Sequence, residues 1–234
     1  MANCSDSVRP PATGNTGQTA ALSPQSSVTP QGSNQAEAVK APEPASEVPP
    51  AFAKVDFRNH TYQTLERRSV TLRNGKAVFP YEHMGGESYD FRKVYFVDLM
   101  GKEIPEAIVE LTRVECGGSC DGGSQLFYIY SIEQDRLRLM QRIEFGSIAY
   151  DCGLMSFLLN KRSLTVETAN SCRFKNDAFQ LFQDPDGGDN KFRATTYSHF
   201  DFELEHNRFV LKKRKVLPNP QPDTRNYPAR IEIN

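Results

Sequence analysis

The spacing of apolar residues follows the two-residue period of β-strands along most of the chain. Near its C-terminal end, Phe200, Phe202 and Leu204 alternate with polar residues and share one face of a strand, while His199 lies on the opposite, solvent-facing side. No segment of the sequence has a helical period. Short strands at regular intervals, joined by polar turns, predict an all-β domain over residues 51–217, a single antiparallel β-sandwich or barrel-like fold.

Local turn signals divide the predicted strands into hairpins. Asn74-Gly75 is a strong signal for a hairpin turn, polar segments close two more at Glu133–Arg136 and Glu205–Asn207, and another hairpin turns near Arg162. The strands predicted around these turns are Val55–Phe57, Ser69–Leu72, Ala77–Phe79, Tyr89–Val97, Ala107–Thr112, Leu126–Ser131, Leu137–Phe145, Leu154–Leu159, Leu164–Thr168, Phe192–Leu204 and Arg208–Leu217.

The two ends of the chain differ in composition from its middle. Residues 1–50 contain no Phe or Tyr and hold 8 of the 15 prolines, together with many Ser, Thr, Gln and Gly residues. Such a segment buries too little apolar surface to offset its chain entropy, so we expect a disordered linker. Residues 218–234 contain four prolines and are expected to form a loosely attached, Pro-rich C-terminal tail.

The charge balance argues against a general affinity for polyanions. The chain carries 28 Lys and Arg against 29 Asp and Glu, so its net charge of −1 provides no field that attracts nucleic acid. We interpret the cluster Lys212–Lys215 as a charged edge strand that resists pairing with other chains, and the alternative is a polyanion-binding patch. No apolar run approaches the roughly 18 residues of a transmembrane helix.

Four of the five cysteines lie in the predicted domain. Cys152 and Cys172 are equidistant from the hairpin turn at Arg162, so an antiparallel hairpin places them opposite each other at disulfide distance. Cys116 and Cys120 form the remaining pair, and the glycines between them allow so small a ring to close. The sequence therefore predicts the disulfides Cys152–Cys172 and Cys116–Cys120.

Other uses of these cysteines are open at this point. A four-thiolate zinc site normally has two close pairs such as C-x2-C, whereas this chain has one close pair with the spacing C-x3-C. Free structural thiols and a redox or nucleophilic thiol are further alternatives, although neither a C-x-x-C motif nor a neighbouring histidine supports reactive thiols. Disulfides indicate an oxidising compartment, whereas free thiols indicate the cytoplasm.

The fifth cysteine, Cys4, precedes the Pro-, Ser- and Gln-rich linker. A cysteine in this position before an extracytoplasmic domain is typical of mature bacterial lipoproteins, in which it carries the lipid. Only Met1–Asn3 precede it, so the apolar signal segment of a lipoprotein would lie upstream of the given sequence, and the alternative is an incidental cysteine. We predict lipidation at Cys4 and a location in the periplasm or at the cell surface.

One predicted connection has features of a cation-binding loop. Asp98, Gly101 and Glu106 occupy positions of the pattern D-x-[TN]-G-D-G-x-x-E-A-[ILV]-V, which resembles the calcium loops of dockerin and FG-GAP repeats. A methionine and a lysine replace residues that carry oxygen ligands, and the lysine repels a cation. The weak candidate ligands are therefore Asp98, Glu103 and Glu106. We expect a hairpin connection that folds without metal, and we predict no cofactor.

The order of segments over residues 55–217 is similar to that of a group of uncharacterised bacterial cell-envelope lipoproteins. The similarity is carried by the degenerate D-x-x-G-x-x-x-x-E-A-[IV]-V loop and by the segments Val55–Tyr62, Ser69–Lys76, Val97–Leu99, Cys116–Gln125 and Arg208–Lys212. This resemblance implies an envelope location and the fold type. It implies no assigned activity and no catalytic residue.

The sequence contains no nucleophile elbow, phosphate-binding loop or metalloprotease motif. We therefore predict an extracytoplasmic, membrane-tethered β-domain with a binding or structural role and no enzymatic activity. Its expected partners are the membrane, through a lipid on Cys4, and an unknown envelope protein or glycan, but not nucleic acid. The alternative is an envelope hydrolase or carbohydrate-active enzyme, which needs two carboxylates about 5–10 Å apart across a cleft. A third hypothesis is a cytosolic β-domain with free thiols.

Overall fold

The computed structural model describes eight stretches of the chain. They are residues 47–64, 68–82, 85–116, 123–146, 152–175, 180–183, 194–220 and 229–234. The predicted linker therefore lies almost entirely outside the described residues. The secondary structure comprises two short 3₁₀ helices, Pro50–Phe52 and Phe57–Asn59, and the strands β1 (Thr61–Gln63), β2 (Ser69–Thr71), β3 (Lys76–Pro80), β4 (Gly86–Val97), β5 (Glu106–Cys116), β6 (Ser124–Glu133), β7 (Arg136–Phe145), β8 (Leu154–Asn160), β9 (Ser163–Ala169), β10 (Cys172–Lys175), β11 (Gln180–Gln183), β12 (Thr196–Glu205), β13 (Arg208–Pro218) and β14 (Arg230–Ile233).

Most strands belong to two sheets that pack face to face. The seven-stranded sheet has the order β10-β11-β7-β6-β5-β4-β3, the five-stranded sheet has the order β13-β12-β9-β8-β14, and β1 and β2 form a separate ribbon. Among the described strands, the parallel pairs are β11–β7 and β14–β8, and the other pairs are antiparallel. The predicted all-β antiparallel fold is confirmed as a sandwich, and the described residues belong to one compact unit.

The core between the sheets is built from the inward side chains of both. Phe127 of β6 stacks on Phe157 of β8 with ring centroids 4.1 Å apart, and Phe145 of β7 meets Phe157 edge to face. Phe200 and Phe202 of β12 are fully buried, as their alternation with polar residues predicts. Interdigitated side chains from two facing sheets are the normal core of a β-sandwich, and each large buried side chain contributes roughly 2–3 kcal/mol.

A second core lies on the other face of the seven-stranded sheet. Side chains of the first 3₁₀ helix, of β1 and of the residue after β2 cover this face, namely Phe52, Tyr62 and Leu72, and each is at most 1% exposed. The middle of β6 is therefore buried on both faces, which explains the uninterrupted apolar run Leu126–Tyr130. The seven-stranded sheet is thus the central layer of three.

Residues in the left-handed region of the backbone close the tight turns. Asn74 and Gly75 have φ of 54° and 84°, and Arg73 and Lys76 on either side exchange backbone hydrogen bonds of 2.8 and 3.1 Å. The predicted turn is confirmed, but β2 and β3 on its two sides belong to different sheets, so it forms a corner between layers. His206–Asn207 closes the predicted β12–β13 hairpin in the same way.

The predicted strand Val55–Phe57 is wrong, because a 3₁₀ helix begins at Phe57. The carboxylate of Asp56 caps this helix: it accepts hydrogen bonds from the backbone N–H groups of Arg58 and Asn59 at 3.0 and 3.2 Å. Aspartate side chains compete in this way with strand pairing, so the local hydrogen bonds outweigh the apolar pattern.

The C-terminal segment also differs from the prediction. Residues 218–234 were expected to form a loose tail, but Arg230–Ile233 form β14, which pairs in parallel with β8 at the edge of the five-stranded sheet. The N–H of Asn234 extends this pairing by donating to the carbonyl oxygen of Leu159 at 3.0 Å. Parallel pairing of distant segments leaves no turn signal in the sequence, so the pattern of prolines was misleading.

Candidate functional site

The connection between β4 and β5 contains two of the predicted cation ligands, Asp98 and Glu103, and the third, Glu106, begins β5; Asp98 and Glu106 hold the loop together. Asp98 accepts a hydrogen bond from the backbone N–H of Lys102 at 3.0 Å. Glu106 accepts one from the N–H of Leu99 at 2.9 Å. Gly101 has φ of 68°, a conformation that glycine adopts without strain. The loop is therefore closed by its own carboxylates.

This arrangement offers little to a metal ion. Asp98 and Glu106 already bind backbone N–H groups, while Glu103 is exposed to solvent. Burial raises the pKa of Glu106. The hydrogen bond from the Leu99 N–H and the charge of Lys102 lower this pKa but do not outweigh burial. In the part of the chain that the structure describes, His, Cys, Asp and Glu side chains form no group of three or more that could hold a metal.

Two open clefts flank the loop formed by residues 98–105. The larger cleft has a volume of about 590 Å³ and separates the loop from the β8–β9 turn and β14; its polar lining residues are Asp98, Lys161, Arg162 and Asn234. The smaller cleft has a volume of about 220 Å³ and lies beside the ends of β5 and β6. Its lining residues include Met100, Lys102, Glu103, Ile104, Glu106 and Ser131. The loop formed by residues 98–105 therefore lies between the two clefts and contributes lining residues to both.

The smaller cleft contains a polar group that sequence reasoning missed. Ser131 is 3% exposed, and its hydroxyl has no hydrogen-bond partner among the described residues. Its position could not be anticipated, because Ser131 and Glu106 become neighbours only through the pairing of β5 with β6, which places Ala107 opposite Tyr130.

The predicted disulfide Cys152–Cys172 is confirmed. Its Cα atoms are 5.9 Å apart, and both residues are fully buried. Cys152 precedes β8 of the five-stranded sheet, whereas Cys172 begins β10 of the seven-stranded sheet, so the bond links the two layers. The hairpin turn between them lies at Lys161–Arg162, as predicted. Because their sulfurs form this bond, Cys152 and Cys172 are not free thiols and do not act as thiolate ligands of zinc.

The other cysteines are described only in part. Cys116 at the end of β5 is also disulfide-bonded, while its predicted partner Cys120 and the predicted lipidation site Cys4 lie outside the described residues. A buried disulfide is typical of proteins in oxidising, extracytoplasmic compartments. Among the described residues, no helix is long and apolar enough to cross a membrane.

The outward face of the five-stranded sheet carries a histidine between two carboxylates. His199 lies on the side opposite Phe200, as predicted, with Nδ1 3.1 Å from Glu167 and Nε2 3.1 Å from Asp201. The hydroxyl of Thr165 also donates to Asp201, at 3.2 Å. Both ring nitrogens of His199 therefore lie within hydrogen-bond distance of a carboxylate oxygen, and the three side chains form a polar patch on this face.

A buried ion-pair network occupies the outer face of the seven-stranded sheet. Glu87 accepts a hydrogen bond from the Tyr89 hydroxyl at 2.6 Å and pairs with the guanidinium groups of Arg68 and Arg113. Arg113 also pairs with Glu144 at 3.1 Å. Burial alone raises the pKa of Glu87, but the hydrogen bonds from Tyr89 and Arg68 and the arginine charges outweigh it and hold the pKa below its ordinary value. We interpret this network as structural.

The cationic run Lys212–Lys215 lies on β13, an edge strand of the five-stranded sheet, as predicted. Lys212 pairs with Glu205 across the hairpin, and the guanidinium of Arg214 donates to the carbonyl oxygen of Cys172 at 2.7 Å. Arg214 therefore ties the edge strand to β10, while the remaining lysines point into solvent.

Comparison with known proteins identifies no relative. A scan against protein-family models, a search of curated proteins and a search of solved structures each returned no match. The resemblance to envelope lipoproteins therefore stays a prediction, and the candidate site rests on its own geometry.

Proposed function

We propose that this chain is an extracytoplasmic binding domain, tethered to a membrane by a lipid on Cys4 and located in the periplasm or at the cell surface. The observation that carries the proposal is the buried disulfide between Cys152 and Cys172, which links the two sheets. Structural disulfides are typical of compartments in which thiols are not kept reduced, which supports an extracytoplasmic location. The composition of residues 1–50 supports a flexible spacer between lipid and domain.

The geometry of the surface supports binding rather than hydrolysis. The alternative of an envelope hydrolase or carbohydrate-active enzyme needs one carboxylic acid and one carboxylate facing each other across a cleft. Here Asp98 lines the larger cleft, Glu103 and Glu106 line the smaller one, and both Asp98 and Glu106 accept hydrogen bonds from backbone N–H groups of their own loop. The open clefts and the outer face of the five-stranded sheet offer mixed polar and apolar contacts to an envelope protein or a glycan.

The proposal is tested by the intact mass of the protein isolated from its own cells, alkylated without reductant. We expect a lipid adduct that maps to Cys4 and no alkylation of the four cysteines of the domain. A Cys4→Ser variant, as the matched control, should lose the adduct and leave the membrane fraction while its domain disulfides remain. A chain without lipid and with all five thiols alkylated would overturn both the location and the tether.

A further inference from the structure

The smaller cleft, beside the ends of β5 and β6, combines apolar and hydrogen-bonding groups in a small volume. Glu106 begins β5 and Ser131 lies near the end of β6; both line the cleft and both are at most 3% exposed. Ile104 also lines the cleft, with 40% of its surface exposed, and supplies apolar surface to it. Lys102 and Glu103 add one charge of each sign.

The hydroxyl of Ser131 lacks a partner within the described protein. A buried hydroxyl without a hydrogen bond is costly, so a water or a ligand group that reaches it from the cleft and bonds to it is favoured. A serine hydroxyl both donates and accepts, and the carboxylates of Glu103 and Glu106 accept. The cleft thus presents mainly acceptors, with donors from Ser131 and from the Lys102 ammonium.

The size and charge of the cleft restrict its ligand. The cleft has a volume of about 220 Å³ and is open to solvent, so it admits one small molecule or one unit of a larger one. Two carboxylates at the cleft repel an anionic ligand. A cationic ligand competes with Lys102, whose charge already acts on Glu106.

We propose that the smaller cleft binds a neutral, polyhydroxylated ligand of the size of one sugar ring, such as a single exposed unit of a glycan. The hydroxyl groups of the ligand donate to Glu103 and Glu106 and exchange a hydrogen bond with Ser131. Its C–H surface packs on Met100, Ile104 and Ile132. This inference rests on the proposed binding role and gives it a chemical class of partner.

The inference is tested by backbone-amide NMR titration of the full chain with glucose, galactose and N-acetylglucosamine as separate probes. We expect at least one sugar to shift the amides of residues 98–106 and 131–132 saturably, with a Kd in the millimolar range. Ser131→Ala should weaken this binding about tenfold. Ser156→Ala is the matched control, because Ser156 is also buried and also lacks a side-chain partner among the described residues, but it does not line the cleft.

A second variant keeps the test independent of the buried serine. Ile104→Ser changes an exposed side chain, so the fold should be unaffected while the apolar rim is lost and binding weakens. Methylammonium serves as the charged probe. Shifts at the cleft with methylammonium but with no sugar, equal sugar binding by wild type and Ser131→Ala, or no shifts with any probe would each overturn the inference. None of these outcomes affects the result of the intact-mass experiment. The proposed location and tether can therefore hold even if the sugar-binding inference is overturned.

Discussion

At the scale of single residues, Glu87 is the most constrained charge in the described structure. It is 1% exposed and receives the Tyr89 hydroxyl and two guanidinium groups. A carboxylate this deep is tolerated because its partners replace the lost hydration. Loss of Glu87 removes the shared counter-ion of Arg68 and Arg113 and leaves the largely buried Arg113 with Glu144 and the exposed Glu115, so the network is sensitive to mutation at this position.

Glu87→Gln should lower the free energy of unfolding by roughly 3 kcal/mol, because the charges of Arg68 and Arg113 lose their buried counter-ion. Urea unfolding measures the effect. Glu115→Gln is the control at the rim of the same network: its side chain is 55% exposed and pairs with Arg113 at 3.4 Å, so the loss should stay below about 1 kcal/mol. Equal effects of the two variants would contradict the buried network.

The pH dependence of stability should have opposite signs at Glu87 and Glu110. The pKa of Glu87 is lowered in the folded state, so its contribution is present above the ordinary glutamate pKa and is lost as the pH falls through the lowered value. Burial raises the pKa of Glu110, despite a hydrogen bond from Tyr95, so its ionised form costs stability at neutral pH and that cost disappears in acid.

Urea unfolding of wild type and both glutamine variants, from neutral pH down into acid below the ordinary glutamate pKa, tests the predicted directions of the two stability changes. As the pH falls, the stability of wild type relative to Glu87→Gln should decrease, and its stability relative to Glu110→Gln should increase. Parallel trends would show that one of the two carboxyl groups is assigned to the wrong environment.

At the scale of single elements, β13 is an edge strand that is exposed on both faces over Val210–Val216. Val210, Leu211 and Val216 are 39–42% exposed, which makes the strand a potential template for pairing with another chain. The charges of Lys213 and Lys215 on its outward face oppose such pairing. We therefore interpret the cationic run as protection of this edge.

The double variant Lys213→Thr, Lys215→Thr should self-associate, because threonine favours strand pairing and two repelling charges are lost. We expect the protein concentration at half association to fall by about tenfold or more, measured by sedimentation velocity. Lys54→Thr combined with Arg92→Thr removes the same number of charges at exposed positions away from β13 and should leave the protein monodisperse. Equal association of both double variants would indicate a general charge effect.

Elements were predictable from the sequence where their causes are local. Asn74-Gly75 and His206-Asn207 specify turns through their own backbone preferences, and the Cys152–Cys172 bond follows from the position of one hairpin turn. The pairing of β14 with β8 and the encounter of Ser131 with Glu106 depend on residues brought together by the whole fold, and no local signal encodes them. The 3₁₀ helix at Phe57 was missed because one aspartate cap outweighed a short apolar pattern.

At the scale of the whole molecule, the seven-stranded sheet is sealed on both faces. One face packs on the five-stranded sheet, and the other is covered by the segment that runs from Pro50 to Leu72. Phe52 lies 5.2 Å from Phe96 of β4, ring centroid to centroid, and Tyr62 lies 4.9 Å from Tyr128 of β6. The N-terminal cover is therefore part of the fold and not an extension of the predicted linker.

Phe52→Ala should lower the free energy of unfolding by about 3–5 kcal/mol, because it opens a cavity above the central sheet. Val48→Ala is the control just outside the cover: Val48 is 53% exposed, so its change should stay within about 0.5 kcal/mol. Chemical denaturation of both variants measures the difference. A negligible effect of Phe52→Ala would mean that the domain begins after this residue.

The parallel pairing of β14 with β8 makes the edge of the five-stranded sheet depend on the last residues of the chain. Until Arg230–Ile233 dock, the backbone groups of β8 that later meet them have no partner in the sheet. The β8–β9 hairpin closes a short local loop, whereas β14 returns from a distant part of the chain, so docking of β14 follows formation of the hairpin. A folding chain therefore passes through a stage in which β8 is open to chaperones or to other strands, and completion of the five-stranded sheet ends that exposure.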